Sequence, residues 1–184
     1  QKRRFWLQSK NSSNNLLSKV PSNWKNYNAV ICKKINLGKP KLSKLFKRGW
    51  KNIIQKPSIL YSDRNYNIEL HFDLFHGFRN LQKAAELVKK EDRDEFIEYI
   101  KKNRSFNPHI MCVAKPKILK LWFEDLFPWL KRCEVIFGFK DLKGYDTTRL
   151  YAYLAERYHS FWFQKYSNYI EWPYKFIDTE KIKN

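Results

Sequence analysis

Acidic residues are scarce. The 184-residue chain sets 18 Asp and Glu against 37 Lys and Arg, a formal charge of +19. That imbalance points to an anionic partner such as nucleic acid, a nucleotide or an acidic membrane surface. Lys, Asn, Ile, Tyr and Phe are plentiful together, as AT-rich coding produces whatever the function, so part of the charge is compositional. On that reading nucleic-acid binding is weak, salt-dependent and without sequence preference. Cysteine is scarce too: Cys32, Cys112 and Cys133 are odd in number and match no metal-ligand or redox spacing. They read as reduced thiols in a cytoplasmic setting, two of them small core residues inside apolar stretches. No run approaches the roughly 20 apolar residues of a membrane helix, and the start lacks the apolar core of a signal peptide, so a soluble or peripheral protein is expected. Phosphate-binding glycine loops, zinc knuckles and RNP motifs are also missing.

What is present suffices for one domain over 1–184, with 43% hydrophobic and 17% aromatic residues to fill a core. The expected class is α/β, an α+β chain with a helix-rich C-terminal part. Residues 1–26 and 35–60 read as loop-rich, from their Ser/Asn stretch and from the breakers Gly38, Pro40, Gly49 and Pro57. Between them YNAVIC (Tyr27 to Cys32) is a β-prone run. From Gly77, Phe78, Leu81, Ala84, Ala85 and Val88 recur at helical spacing, and Phe96, Ile97 and Ile100 resume it after a charged break at KKEDRDE. A buried strand over Ile110 to Ala114 follows. Pro116 then opens a helix carrying Trp122, Leu126 and Trp129, which Pro128 kinks or restarts and Gly138 stops. The last long helix, capped by Asp146 or Thr147, carries the stripe Leu150, Tyr153, Leu154, Arg157, Tyr158, Phe161 and Trp162, which is expected to be core. An aromatic tail, NYIEWPYKF, packs back on the body.

Five groups of residues suggest chemistry. Asp92-Arg93-Asp94 has the form of a divalent-cation pair, yet it lies in KKEDRDEF at a helix junction and not after an apolar strand, so a solvated charged turn is expected. In Glu69 to Gly77, period-two alternation puts His71, Asp73 and Phe75 on one side of an extended segment and His76 on the other. Two histidines and a carboxylate there can serve as base or sugar-hydroxyl clamp; a helix-preceding cap and satisfied polar residues are the plainer alternative. Arg149, Glu156 and His159 lie beside the final stripe, where they either converge on one cleft or pair at the surface. The entrance to Ile110 to Ala114, SFNPHIMCVAKP, raises the question whether Asn107 and His109 stand at the lip of a ligand cleft. The basic-aromatic start, with Arg3, Arg4, Phe5 and Trp6, supports a second reading as a nucleic-acid-binding module.

In order, QKRRF, YNAVICKK, FDLFHG, SFNPHIMCVAKP, LWFEDLFPWLKRCE and GYDTTRLYAYLAERYHSFWF resemble the C-terminal two thirds of a family of bacterial glycosyltransferases from capsular and lipopolysaccharide gene clusters. That family's "H-Y-R-R-Y", "N-M-F-I-M-K-K", "W-L-F-P-I-L…E" and "R-x-x-G-F-L-A-E-R" patterns align with Gln1 to Phe5, Asn107 to Lys115, Trp122 to Glu134 and Arg149 to Arg157. Gln1 and Lys2 depart from the leading His and Tyr, and Cys32 stands where the pattern has proline. The resemblance implies a partial GT-A-like fold without its N-terminal half-sheet, a fragment holding mainly the acceptor side. It implies transfer from a nucleotide-sugar donor to a lipid-linked or polysaccharide acceptor, with peripheral placement on an anionic inner membrane face. It also implies Asp73 or Glu156 as base, Arg3, Arg4 and Arg149 as phosphate contacts, and His76, Asn107 and His109 near the substrate. Mg²⁺ or Mn²⁺, where used, would take its ligands from the upstream half.

Overall fold

The computed structural model describes residues 2–10, 15–140 and 142–178; Gln1 and part of the Ser/Asn stretch lie outside them. Strand β1 (Lys2–Trp6) pairs antiparallel with the last strand, β7 (Tyr174–Asp178), Arg4 opposite Phe176. Strand β2 (Ala29–Cys32), buried at every position, is the middle of a three-stranded sheet. Strand β5 (Cys112–Ala114) flanks it antiparallel and β6 (Tyr169–Trp172) parallel. Between them β3 (Ile35–Asn36) pairs with β4 (Ser105–Phe106). A four-residue apolar run such as AVIC suits the central position, because both its faces are covered. β5 differs from the buried strand expected there: as an edge strand it leaves Val113 exposed, and Ile110 before it is exposed as well.

Eight helices complete the described residues: α1 (Leu42–Arg48), α2 (Trp50–Gln55), α3 (Ile68–His76), α4 (Asn80–Ala85), α5 (Lys90–Lys102), α6 (Pro116–Phe137), α7 (Tyr145–Thr148) and α8 (Leu150–Tyr166). Mixed helix and sheet make this an α+β protein. α6 begins with Pro116 in its first turn and ends at Gly138, whose φ of 58° is the left-handed region glycine enters freely. It runs through Pro128 without restarting. The broken backbone bond there is offset by Trp122, Leu126, Trp129 and Cys133, which all face the core. α8 lays Leu154, Tyr158, Phe161 and Trp162 against them. Phe96 of α5 meets Trp129 and Tyr158 edge-on at 6.2 and 5.3 Å, an arrangement worth about 0.5–1.5 kcal/mol per pair beyond burial. The Trp129 indole donates to the Ala84 carbonyl at 2.8 Å, tying α6 to α4.

Four expectations are corrected. Residues 35–60 hold β3, α1, α2 and a 3-10 turn (Pro57–Leu60), not loop alone. Glu69 to His76 is helical, not extended: Asn67 caps α3 by accepting the Leu70 amide at 2.8 Å. Arg149, not Asp146 or Thr147, occupies the N-cap of α8, because α7 intervenes. KKEDRDE is the opening of α5 and not a solvated turn, and Asp92 within it is fully buried. Its carboxylate accepts from the Tyr158 hydroxyl at 3.3 Å and from Tyr166, and pairs with Lys165 at 2.9 Å and Lys89 at 3.5 Å.

Candidate functional site

β2 and β6 run parallel, and their carboxyl ends, Cys32 and Trp172, lie side by side in register. The outer side of that edge is where ligands collect in folds with parallel strands. Three parts of the chain reach it: the 106–111 segment after β4, the middle of α8, and the β1–β7 ribbon. Asn107 fastens the first two. Its amide donates to the Ser160 hydroxyl at 2.6 Å and its side-chain amide to the Cys32 carbonyl at 2.6 Å. Cys32 in turn directs its thiol at the Pro108 carbonyl, 2.7 Å away. Burial pushes that thiol up to about 12, so it stays protonated. Asn107 is therefore fully buried behind the end of β2 and not at a cleft lip, because it satisfies the last carbonyl of that strand.

His109 is brought to the edge. Its φ of 66° is left-handed, uncommon for a residue with a Cβ. The ring sits edge-on to Tyr174 at 5.4 Å, with Nδ1 3.4 Å from Glu156 Oε1. The other oxygen of Glu156 accepts from Arg157 Nη1 at 3.1 Å. Arg157 is almost wholly buried, its guanidinium 3.7 Å from the centre of the Phe106 ring. Burial pushes its pKa down to about 10, against the pull of Glu156, so it remains cationic at neutral pH. Burial pushes the Glu156 carboxyl upward, but His109 and Arg157 outweigh it and hold it below the ordinary carboxylate range. Glu156 is thus an ionised, mostly buried carboxylate between two nitrogenous side chains.

Arg4 lies over Phe176 at 5.1 Å, within electrostatic reach of Tyr174 as Glu156 is. Arg3 is its strand neighbour, and the pleat turns the two to opposite faces, so they do not form one paired phosphate clamp. His71 stacks on Phe75 at 4.7 Å; burial and the Arg157 charge push its pKa to about 3, leaving it neutral. It also lines a cleft of about 370 Å³ with Leu37, Lys41, Lys44, Tyr66 and Phe75. His76 is buried against Tyr153 at 3.8 Å, and Arg149 reaches the same ring at 5.9 Å, so these two meet through an aromatic plane.

Asp73 belongs to a different cluster. Its oxygens accept from Asn52 Nδ2 at 2.5 Å and from the Arg79 amide at 2.9 Å, joining α2, α3 and the start of α4. Burial pushes its pKa up to about 6, partly opposed by those donors. Asp73 ties three helices together through these contacts. His159 does not converge with Glu156 and Arg149. It is fully buried against Trp122 and Phe163, neutral with a pKa pushed to about 3 by burial, and neither ring nitrogen has a partner. Glu156 is itself mostly buried, so surface pairing is corrected as well.

Several buried side-chain atoms lack hydrogen-bond partners, Asn107 Oδ1, Arg157 Nε and His71 Nδ1 among them, and His109 Nδ1 meets Glu156 as an ion-pair contact without hydrogen-bond geometry. Buried atoms of this kind are rarely left unpaired. Among the described residues, no group of three or more His, Cys, Asp or Glu is placed to hold a metal ion. The basic-aromatic start is built into the ribbon, with Trp6 packed on Trp24 at 5.9 Å and Arg4 on Phe176; Arg3 and Arg4 are exposed, and Phe5 and Trp6 half-buried. Sequence reasoning assigned Arg157 to the core stripe and passed over Tyr174. A lone Arg within an apolar stripe was the available signal for the first.

The family model described as Domain of unknown function (DUF4422) matches residues 3–168. No curated protein and no solved structure matches the chain.

Proposed function

We propose that this chain, which belongs to the DUF4422 family, is the acceptor-side part of a glycosyltransferase of GT-A-like fold. It moves a sugar from a nucleotide-sugar donor to a lipid-linked or polysaccharide acceptor of capsule or lipopolysaccharide type, on the cytoplasmic side of the membrane. The observation that carries this reading is Glu156, ionised between His109 and Arg157 at the carboxyl ends of β2 and β6. The order of the sequence patterns supports it.

In the reaction a bond forms between the acceptor oxygen and the anomeric carbon as the bond from that carbon to the diphosphate oxygen breaks. Glu156 is in the basic form throughout the neutral range and takes the proton of the acceptor hydroxyl. His109 and Arg157 fix its two oxygens, so the carboxylate meets the hydroxyl without first reorganising. Arg4 on the ribbon and Arg149 at the start of α8 supply positive charge for the departing diphosphate.

The test is transfer from a panel of nucleotide sugars to a lipid-linked acceptor by the whole gene product. Glu156→Gln is expected to lower the rate about a hundredfold or more while the circular dichroism spectrum is kept. Glu134→Gln, on the exposed side of α6, is expected to transfer like wild type. Unchanged turnover in Glu156→Gln would remove the assignment.

A further inference from the structure

We propose that the helix pair α1–α2 is a docking face for anionic lipid bilayers. Between Cys32 and Asp63 the sequence holds nine Lys and Arg and no Asp or Glu. Within that stretch Leu42, Phe46, Trp50 and Ile54 recur every four residues, and all four stand out from the surface at 53, 59, 52 and 70% exposure. Residues four apart are neighbours on a helix, so Leu42 and Phe46 adjoin on α1 and Trp50 and Ile54 on α2. Lys41, Lys47, Lys51 and Lys56 are exposed around them. Lys34 and Lys39, before α1, pair with Glu171 and Asp63, but α1 and α2 themselves carry no acid. Apolar and aromatic side chains projecting among cations have the composition of a helix that lies in the headgroup region of a charged bilayer.

The inner side of the pair shows that this exposure is built in. Leu45 is fully buried, Gly49 abuts Leu74, and Asn52 donates to Asp73 at 2.5 Å. A Cβ on Gly49 would come within 2.6 Å of Leu74 Cδ2 and 2.9 Å of the Leu45 carbonyl oxygen. These contacts bolt both helices to α3, so the pair cannot roll its apolar residues inward. The charge selects the occupant: a surface of fixed cations with projecting Phe and Trp fits phosphate headgroups over acyl chains, whereas a second copy of this chain would bring a like-charged face against it. The same face adjoins the cleft lined by Lys41, Lys44 and His71. A docked bilayer thereby holds lipid headgroups beside that cleft; only this last point rests on the transferase reading.

The experiment is co-sedimentation of the full chain with vesicles of phosphatidylcholine alone and of phosphatidylcholine mixed with phosphatidylglycerol, at near-physiological ionic strength. Preferential binding to the anionic vesicles is expected. Phe46→Ser with Trp50→Ser should lower the partition coefficient about tenfold or more, and Lys47→Gln with Lys51→Gln about thirtyfold. All four positions are exposed, so the circular dichroism spectra should not change. Phe123→Ser with Phe127→Ser, which removes exposed aromatics on α6, should bind like wild type. Equal binding to neutral vesicles, wild-type binding by either α1–α2 variant, or an equal loss in the α6 variant would overturn the assignment. So would a dimer, seen by analytical ultracentrifugation without vesicles, that the Phe46→Ser, Trp50→Ser variant dissolves. Glu156→Gln should bind vesicles like wild type, so failure of transfer and failure of docking are read separately.

Discussion

Replacing Asp92 by Asn tests the energetics of the helical body at its most charged buried point. Asn keeps the shape of Asp but loses the charge and one strong acceptor. In the native chain that carboxylate takes hydrogen bonds from Tyr158 and Tyr166 and faces Lys165 and Lys89. Breaking a buried ion pair costs about 3–5 kcal/mol, yet both lysines are partly open to water and can be resolvated, which lowers the figure. Two tyrosine hydroxyls losing a charged acceptor contribute roughly 1–1.5 kcal/mol each. The expected destabilisation is about 2–3 kcal/mol in urea unfolding at neutral pH, as a lower midpoint at constant slope. Asp94→Asn, exposed two residues on, should stay within about 0.5 kcal/mol of wild type. The pH dependence has a definite sign. Burial opposes ionisation of Asp92, but hydrogen bonds from Tyr166 and Lys165 and the Lys89 charge outweigh it and hold the carboxyl below the ordinary range. Stability from this group is therefore complete above the unfolded carboxyl pKa of about 3.9 and is lost as pH falls through the lower native value. The gap between wild type and Asp92→Asn should close on acidification from about pH 4 downward. An Asp92→Asn variant no less stable than Asp94→Asn, or a gap independent of pH, would refute the reasoning.

Gly49→Ala should destabilise the chain by about 1–3 kcal/mol in the same assay, although Ala favours a helix, because the added Cβ meets both Leu74 and the Leu45 carbonyl; a stabilised variant would show that α1–α2 has room to shift. At His109, Gly should be more stable than Ala by about 1 kcal/mol, since only Gly adopts the left-handed φ without cost. Both substitutions should raise the Glu156 titration midpoint, read from its side-chain carbon in NMR, because each removes a partner that holds the carboxyl low; an unmoved midpoint would show that Arg157 alone sets it.

The legible parts of the fold were those whose buried residues are apolar and regularly spaced. β2, α6 and α8 announce themselves through AVIC, through Trp122, Leu126 and Trp129 between Pro116 and Gly138, and through the Leu154 to Trp162 stripe. α1 and α2 did not, because their inner face is made of Leu45, Gly49 and Asn52, two of which carry no hydrophobic signal, while Phe46, Trp50 and Ile54 face out. α3 mimicked a strand because it is buried on nearly every side, so Leu70, Phe72 and Leu74 alternate with Asp73 and His71 without an exposed face to set the period. Glu156 and His109 were singled out from sequence, yet their meeting depends on how the 107–111 segment folds over the end of β2, which no spacing encodes. Asn107 and His159 show the opposite failure: polar residues beside a cleft by sequence are buried by the tertiary packing. Asp92 fell to the assumption that a dense charge run stays in water, which holds only where no aromatic hydroxyls converge to receive it.

The position of β2 also dictates an order of events during synthesis. AVIC is made before either of its neighbours, β5 and then β6, with Ala29 waiting for Tyr169, and β1 waits longer still, for Tyr174 to Asp178. The helices from α3 to α6 can close on one another first, since their contacts are nearer in the chain. Until α8 and β6 leave the ribosome, an apolar strand therefore remains unpaired along one edge at least, a state prone to pairing with the same strand of another chain. Pairings so distant make folding slow relative to a helical bundle of this size. Ribosome-bound chains halted before Tyr169 should accordingly be the species that chaperones hold and that aggregates when they are scarce.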